Sequence, residues 1–262
     1  MLTFVGLGLY DERSITLQGR EALRDADRIF AERYTSHLVG ASFADVEAAH
    51  DIDIEIRSRE GVEQDPEPIL DAAEDGDAVF CTAGDTMIST THVDLRLRAH
   101  ERGIDTRIVH GTTAAAAASS LTGLQNYRFG KATTLPFESS HGGEGVPGSV
   151  IETIEDNRER GLHTLVFLDI KVDDDREDYM TGAEAAQLLA SDWNEDALGV
   201  VVARAGSPDP VVRADRLDAL AEADFGDPLH MLVVPGDLHY IERDALVELA
   251  DAPEDIADEL LV

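Results

Sequence analysis

The first thirty residues constrain the fold most. In LTFVGLGLYDERSITLQGREALRDADRIFAE an apolar run from Leu2 to Val5 ends in a Gly-Leu-Gly turn, and a helical pattern then leads to a second apolar run from Asp27 to Glu32. Short apolar runs bounded by turn residues read as buried strands. Leu17, Ala22, Leu23 and Ala26 supply the apolar side of the helix between them, behind Thr16, whose hydroxyl is placed to cap it. A strand, a tight turn, a capped helix and a second strand form a βαβ unit, which commits this part of the chain to a parallel sheet. Gly6 and Gly8 free the backbone to turn tightly, as a ligand-binding turn needs. Asp11 stands where a dinucleotide fingerprint has its third glycine, so a hydride-transfer reading is weak.

The alternation continues. Ile52, Ile54 and Ile56 in DIDIEIRSRE predict a half-buried strand, residues Ile69 to Glu74 a short helix, and Asp77 to Thr82 an apolar strand ending at Ala83-Gly84-Asp85. STTHVDLRLRAHERG predicts a helix closed by Gly103, and Ile104 to His110 the next strand. Near Gly111 the character changes: GTTAAAAASSLTGL predicts an alanine-rich helix capped by Thr112 or Thr113. Beyond it come a strand at Ala132 to Pro136, a glycine-rich loop ESSHGGEGVPGS, a helix at Val150 to Arg160 and a strong strand in HTLVFLDI. ALGVVVARAG and LHMLVVPG predict two more strands, separated by SPDPVVR as a loop and a helical DRLDALAEAD; a helix at Ile241 to Leu249 closes the pattern. Strands alternating with helices imply mostly parallel sheets covered on both faces. The expected organisation is two α/β domains, residues 1–110 and 111–262, with the ligand site in the cleft between them.

Composition narrows the partners. The 262 residues carry a net charge of -33, and lysine occurs only at positions 131 and 171. Acid enrichment of this extent suits a cytoplasm filled with concentrated salt, where screening removes the repulsion that opposes compaction, and it implies a halophilic source. Without a basic patch there is nothing to release counterions from phosphates, so direct nucleic-acid binding is excluded. Cys81 is the single cysteine and reads as a buried strand thiol. His37, His50, His100, His141, His163 and His239 show no metal-binding spacing, and His92 and His110 read as structural. With no signal-peptide pattern and no apolar run of membrane-spanning length, the expectation is a cytoplasmic protein without a membrane partner.

FVGLGLYDERSIT, FAERYTS, the SRE at residues 58–60, TAGDTMISTTHVDLRLRA, HGTT, GLQNYRFGKATT, ERGLHTLVFLDIK, YMTGAEA, VVVARAGS and DFGDPLHMLVVPGDLHYIE together resemble, in order and spacing over nearly the whole chain, the archaeal diphthine synthases. These belong to the tetrapyrrole-methylase-like methyltransferases. The resemblance implies two α/β domains of the tetrapyrrole methylase type, with S-adenosylmethionine bound between them, and a homodimer. It also implies trimethylation of the amino group of a 3-amino-3-carboxypropyl arm on a histidine of translation elongation factor 2. By the same resemblance the cofactor is held by Leu9, Asp85, Ile88, Thr113, Ala114, Leu168, Ala205 and His230, many of them through backbone groups. Two segments depart from the family form: Ala83 and Thr86 replace the prolines of TPGDP, and HGTTA stands for HAPSI.

Methyl transfer from a sulfonium to a neutral amine needs positioning and desolvation rather than a nucleophilic triad, so the lack of a triad signature is compatible with an enzyme. No residue is identified as the proton acceptor. Tyr34 and Phe137 are aromatic candidates for attracting a growing quaternary cation. Asp85 has a second reading as a cap of the following helix, and His230 as a strand histidine satisfied by ordinary partners. Two other functions stay open, a tetrapyrrole C-methyltransferase and a sensor that binds S-adenosylmethionine without turnover.

Overall fold

In the computed structural model, which describes all residues except 33, 36 and 173–176, the chain forms two units, Met1–Thr113 and Ala114–Lys171 with Glu177–Val262. The first contains β1 (Leu2–Gly6), β2 (Arg28–Glu32), β3 (Glu55–Arg57), β4 (Ala78–Thr82) and β5 (Thr106–Val109). They pair in the order β3-β2-β4-β1-β5, every ladder parallel. Alternate residues feed two separate apolar layers. Phe4, Phe30 and Phe80 pack with Ile69 and Leu95 on one face, while Val5, Ala31 and Cys81 pack with Leu23 and Val46 on the other. A sheet covered on both faces explains why its central strands β4 and β1 are buried throughout and mostly apolar.

Thr16 caps the helix Leu17–Asp25 by accepting a 3.0 Å hydrogen bond from the Gly19 N–H, as expected. Leu17 is a correction: it is exposed, because it lies about 120° round the helix from the buried Leu23 at 3.6 residues per turn. The alternating isoleucines are corrected too. Ile52 and Ile54 pack on the core ahead of the strand, whereas Ile56, inside the three-residue edge strand, faces outward. Helices Phe43–His50 and Arg59–Glu63 add to the pattern the sequence predicts; Ser42 with Asp45 forms a capping box for the first and Ser58 caps the second.

The second unit holds β6 (Thr133–Leu135), β7 (Thr164–Leu168), β10 (Leu198–Ala203), β11 (Val211–Arg216) and β12 (His230–Val234), in the order β11-β10-β12-β7-β6. Only β6 and β7 are parallel; β12 runs antiparallel to both β7 and β10, and β11 antiparallel to β10. β8 (Ile170–Val172) and β9 (Glu177–Tyr179) pair as a separate two-stranded ribbon. The expected parallel sheet is therefore corrected here, and so is SPDPVVR, whose final residues begin the edge strand β11. ESSHGGEGVPGS contains one helical turn, Glu138–His141, ended by Gly142 at φ 70°. Helix Gly182–Leu189, opened by a Thr181–Glu184 capping box, packs on β10 and β12 over a core that includes Val201, Leu232 and Val234.

Candidate active site

In the first unit three turns meet at the C-terminal ends of the adjacent strands β4, β1 and β5. Gly8 N–H donates to Gly84 O at 3.2 Å and Gly84 N–H donates back to Gly8 O at 2.7 Å, which ties the turn after β1 to the turn after β4. A Cβ on Gly6 would lie 2.5 Å from Gly84 O and 2.6 Å from Gly111 N, so this close approach of three backbones admits only glycine. Gly84, at φ +69°, has open space where a Cβ would stand. β1 connects to β2 and β4 to β5, on opposite sides of the β4–β1 pair; in open α/β sheets such a reversal at the strands' carboxyl ends is where ligands bind.

Asp85 follows directly and is 5% exposed. Its Oδ1 accepts the Met87 N–H at 2.9 Å, and its Oδ2 meets His110 Nδ1 at 2.8 Å and the Gly111 N–H at 3.3 Å. A carboxylate oxygen accepts, so the hydrogen in this contact sits on His110 Nδ1, and Nε2 is the ring nitrogen left over. The His110 side chain is 74% exposed. Asp85 does not cap the next helix, Val93–Glu101, which His92 precedes without a side-chain cap. Leu9 and Thr113, both half-buried, lie in the turns after β1 and β5, and Ile88 is 44% exposed beyond Asp85, to whose carbonyl its N–H donates at 3.3 Å. The structure thus gathers Leu9, Asp85 and Thr113 at neighbouring strand ends. It adds His110, which no spacing signalled: 25 residues separate it from Asp85, and only strand order joins them.

In the second unit the antiparallel course of β12 brings its first residue to the edge where β7 and β10 end. His230 pairs with Ala203, and Met231 with Phe167. Leu168, Ala205 and His230 therefore share one sheet edge, while Ala114 opens helix Ala114–Thr122, which packs on β10 and β12. His230 Nδ1 accepts the Gly182 N–H at 2.9 Å, which leaves Nε2 to donate to Asp227 O at 3.0 Å. Burial lowers its pKa, and the neutral ring is wholly taken up by this chain. A ligand at His230 would meet its main chain.

Other polar groups are braces. Cys81 is fully buried, donates weakly to Phe30 O at 3.4 Å, and burial pushes its thiol pKa up, so no thiolate forms there. Each candidate aromatic already holds a cation of this chain: Arg59 lies 4.9 Å from the centre of the Tyr34 ring and Lys171 Nζ 5.6 Å from that of Phe137. Phe137 also lines a cavity of about 580 Å³ with Met180, Glu184 and Leu188, and none of the family-implied residues lines it. Among the described residues no cluster of metal-ligating side chains occurs, and no helix is long and apolar enough to cross a membrane.

Residues 1–221 match the family described as Tetrapyrrole (Corrin/Porphyrin) Methylases. The diphthine synthase of Halorubrum lacusprofundi is 72% identical over 266 residues, covering 99% of this chain and 100% of that protein, and the one from Methanosarcina acetivorans is 49% identical over 268 residues, covering 99% of each. A crystal structure of diphthine synthase matches with a TM-score of 0.88 at 37% identity, covering 98% of both chains. The putative diphthine synthase of Entamoeba histolytica matches with a TM-score of 0.83 at 31% identity, covering 97% of this chain and 99% of that one. Relatives from halophilic archaea accord with the acid-rich composition.

Proposed function

The chain belongs to the tetrapyrrole methylase family, and we propose from that membership that it is an S-adenosylmethionine-dependent methyltransferase performing the diphthine synthase step of diphthamide biosynthesis. The substrate is the amino group of the 3-amino-3-carboxypropyl arm on a histidine of elongation factor 2, methylated three times. The observation that carries this reading is the buried Asp85 beside the open face of Gly84, at strand ends where α/β sheets take ligands.

The residues fit an adenosine-bearing donor. Asp85 Oδ1 has a lone pair beyond the bond it already makes to the Met87 N–H, enough to accept from a ribose hydroxyl or an ammonium. Ile88 offers an exposed apolar side chain nearby. In the second unit, Leu168 and Ala205 offer apolar walls and backbone groups. We assign Leu9, Asp85, Ile88, Thr113, Ala114, Leu168, Ala205 and His230 to the donor, His230 through its main chain. When bound, S-adenosylmethionine supplies a sulfonium methyl: the amine lone pair forms the N–C bond while the S–C pair returns to sulfur. The protein's part is to align the amine and exclude water. Family membership further implies a cytoplasmic homodimer.

Incubation with labelled donor and precursor-bearing elongation factor 2 tests the reading, and intact mass should show three successive methyl additions. Label on a tetrapyrrole instead would overturn it. Tight donor binding without transfer would favour a sensor.

A further inference from the structure

We propose that His110 is the proton acceptor of the reaction, with Asp85 as the group that orients it. This rests on the methyltransferase reading above. A substrate amine meets the enzyme largely as an ammonium, which has no lone pair, so a proton must leave before each transfer. His110 has the features such an acceptor needs. Its Nδ1–H is fixed on Asp85 Oδ2 at 2.8 Å, its Nε2 meets no hydrogen-bond partner among the described residues, and its exposed ring can pass a proton to solvent. His230 and His163 are different, since backbone or carboxylate groups engage both of their ring nitrogens. His110 also shares Asp85 with the proposed donor site, which sets its ring beside that site.

The step balances. An N–H bond of the ammonium breaks, its electron pair stays on nitrogen as the lone pair that takes the methyl, and the proton forms the Nε2–H bond of an imidazolium. The anionic Asp85 steadies that cation until the proton reaches solvent. Three rounds remove three protons, and the final trimethylammonium has none left to give. The charged group in contact with the ring is Asp85, from the turn after β4; Gly6 at the end of β1 and Leu7 and Gly8 in the turn after it carry no charge, nor do Gly111, Thr112 and Thr113 on its own segment.

His110→Asn separates acceptor from brace, because the asparagine amide N–H can replace Nδ1–H on Asp85 while the basic nitrogen is gone. Wild-type protein is assayed first with labelled donor and precursor-bearing elongation factor 2; no transfer there would sink the methyltransferase reading itself. Given wild-type transfer, the single-turnover rate of His110→Asn should fall about 100-fold or more near neutral pH. It should then climb about tenfold per pH unit where the wild type is flat, as solvent supplies free amine, with donor affinity by calorimetry within twofold. Nitrogen-15 NMR of the wild type should find the proton of neutral His110 on Nδ1. A variant rate within threefold of wild type, an equal loss at every pH, a parallel loss of donor affinity, or a proton on Nε2 would each overturn the proposal.

Discussion

The two units each contain a histidine held by a carboxylate, and the pairs have opposite fates. In the first unit Asp85 grips His110 at 2.8 Å and leaves the ring largely in solvent. In the second, Glu242 takes His163 Nε2 at 3.1 Å with both side chains fully buried. His163 Nδ1 accepts the Gly236 N–H at 3.1 Å, and Glu242 also takes the N–H groups of Gln125 and His239 and Arg128 Nη1. Every donor and acceptor is spent on architecture. Residue type therefore does not decide whether such a pair does chemistry; an unspent nitrogen within reach of solvent does.

The largest expected effect tests whether the units share one dependence on the medium. With a net charge of -33, repulsion goes unscreened in dilute buffer, and both units should lose their far-UV circular dichroism as salt is withdrawn. Equal stability with and without salt would defeat the halophilic reading; loss in two separate steps would mean the units differ in charge tolerance.

Glu242→Ala and Asp85→Ala should then split. Removing Glu242 strands Arg128 and the N–H groups of Gln125 and His239 in a buried site, and should cost about 3–5 kcal/mol of stability in thermal or denaturant unfolding. Removing Asp85 takes the acceptor from the Met87 and Gly111 N–H groups, so it should lower stability by less than Glu242→Ala does, and it should weaken donor binding by about 1.5–3 kcal/mol, the range for hydrogen bonds to a charged group. Donor affinity within twofold in Asp85→Ala, with a lowered melting temperature, would turn Asp85 into a second brace and erase the contrast.

How far the sequence disclosed this contrast follows from what periodicity encodes. Leu2 to Val5 and Asp77 to Thr82 were legible because a strand buried on both faces is a short apolar block between turns. The antiparallel course of β12 was not, since LHMLVVPG reads the same whichever way its neighbours run. β11 was missed because its burial is partial and it follows two prolines, which look like loop. Of the candidate site, the sequence shows Asp85 directly after the glycine of a strand-ending turn, and the structure places it there. The role of His110 was not legible, because it exists only once β5 lies beside β1 and β1 beside β4.

The smallest effect comes from a third pair, Glu32 and His92 in the first unit, and it has the opposite sign. Both are buried, with Glu32 Oε1 and His92 Nε2 3.7 Å apart and neither hydrogen-bonded. His92 Nδ1 donates to Thr86 O at 3.1 Å, so Nε2 presents a lone pair to the carboxyl. Burial raises the Glu32 pKa and lowers that of His92, which favours both neutral forms. A raised carboxyl contributes stability present below its ordinary range and lost as pH rises through its folded value. The second unit runs the other way. Glu242, although burial opposes it, is held below the ordinary range by the N–H groups of Gln125 and His239 and by His163, and burial lowers His163 itself. Their contributions are present above the ordinary carboxylate and imidazole values and are lost as pH falls, His163 beginning below about pH 6.5. Glu32→Gln keeps an acceptor for the Thr35 N–H, now 2.9 Å from Oε2, and turns an amide donor toward His92. At pH 8 in high salt it should therefore leave stability unchanged or raise it by about 1 kcal/mol, with less decline as pH rises. Destabilisation by Glu32→Gln comparable to that of Glu242→Ala, measured in parallel urea titrations, would mean that Glu32 is ionised and paired, and that burial alone does not separate the three pairs.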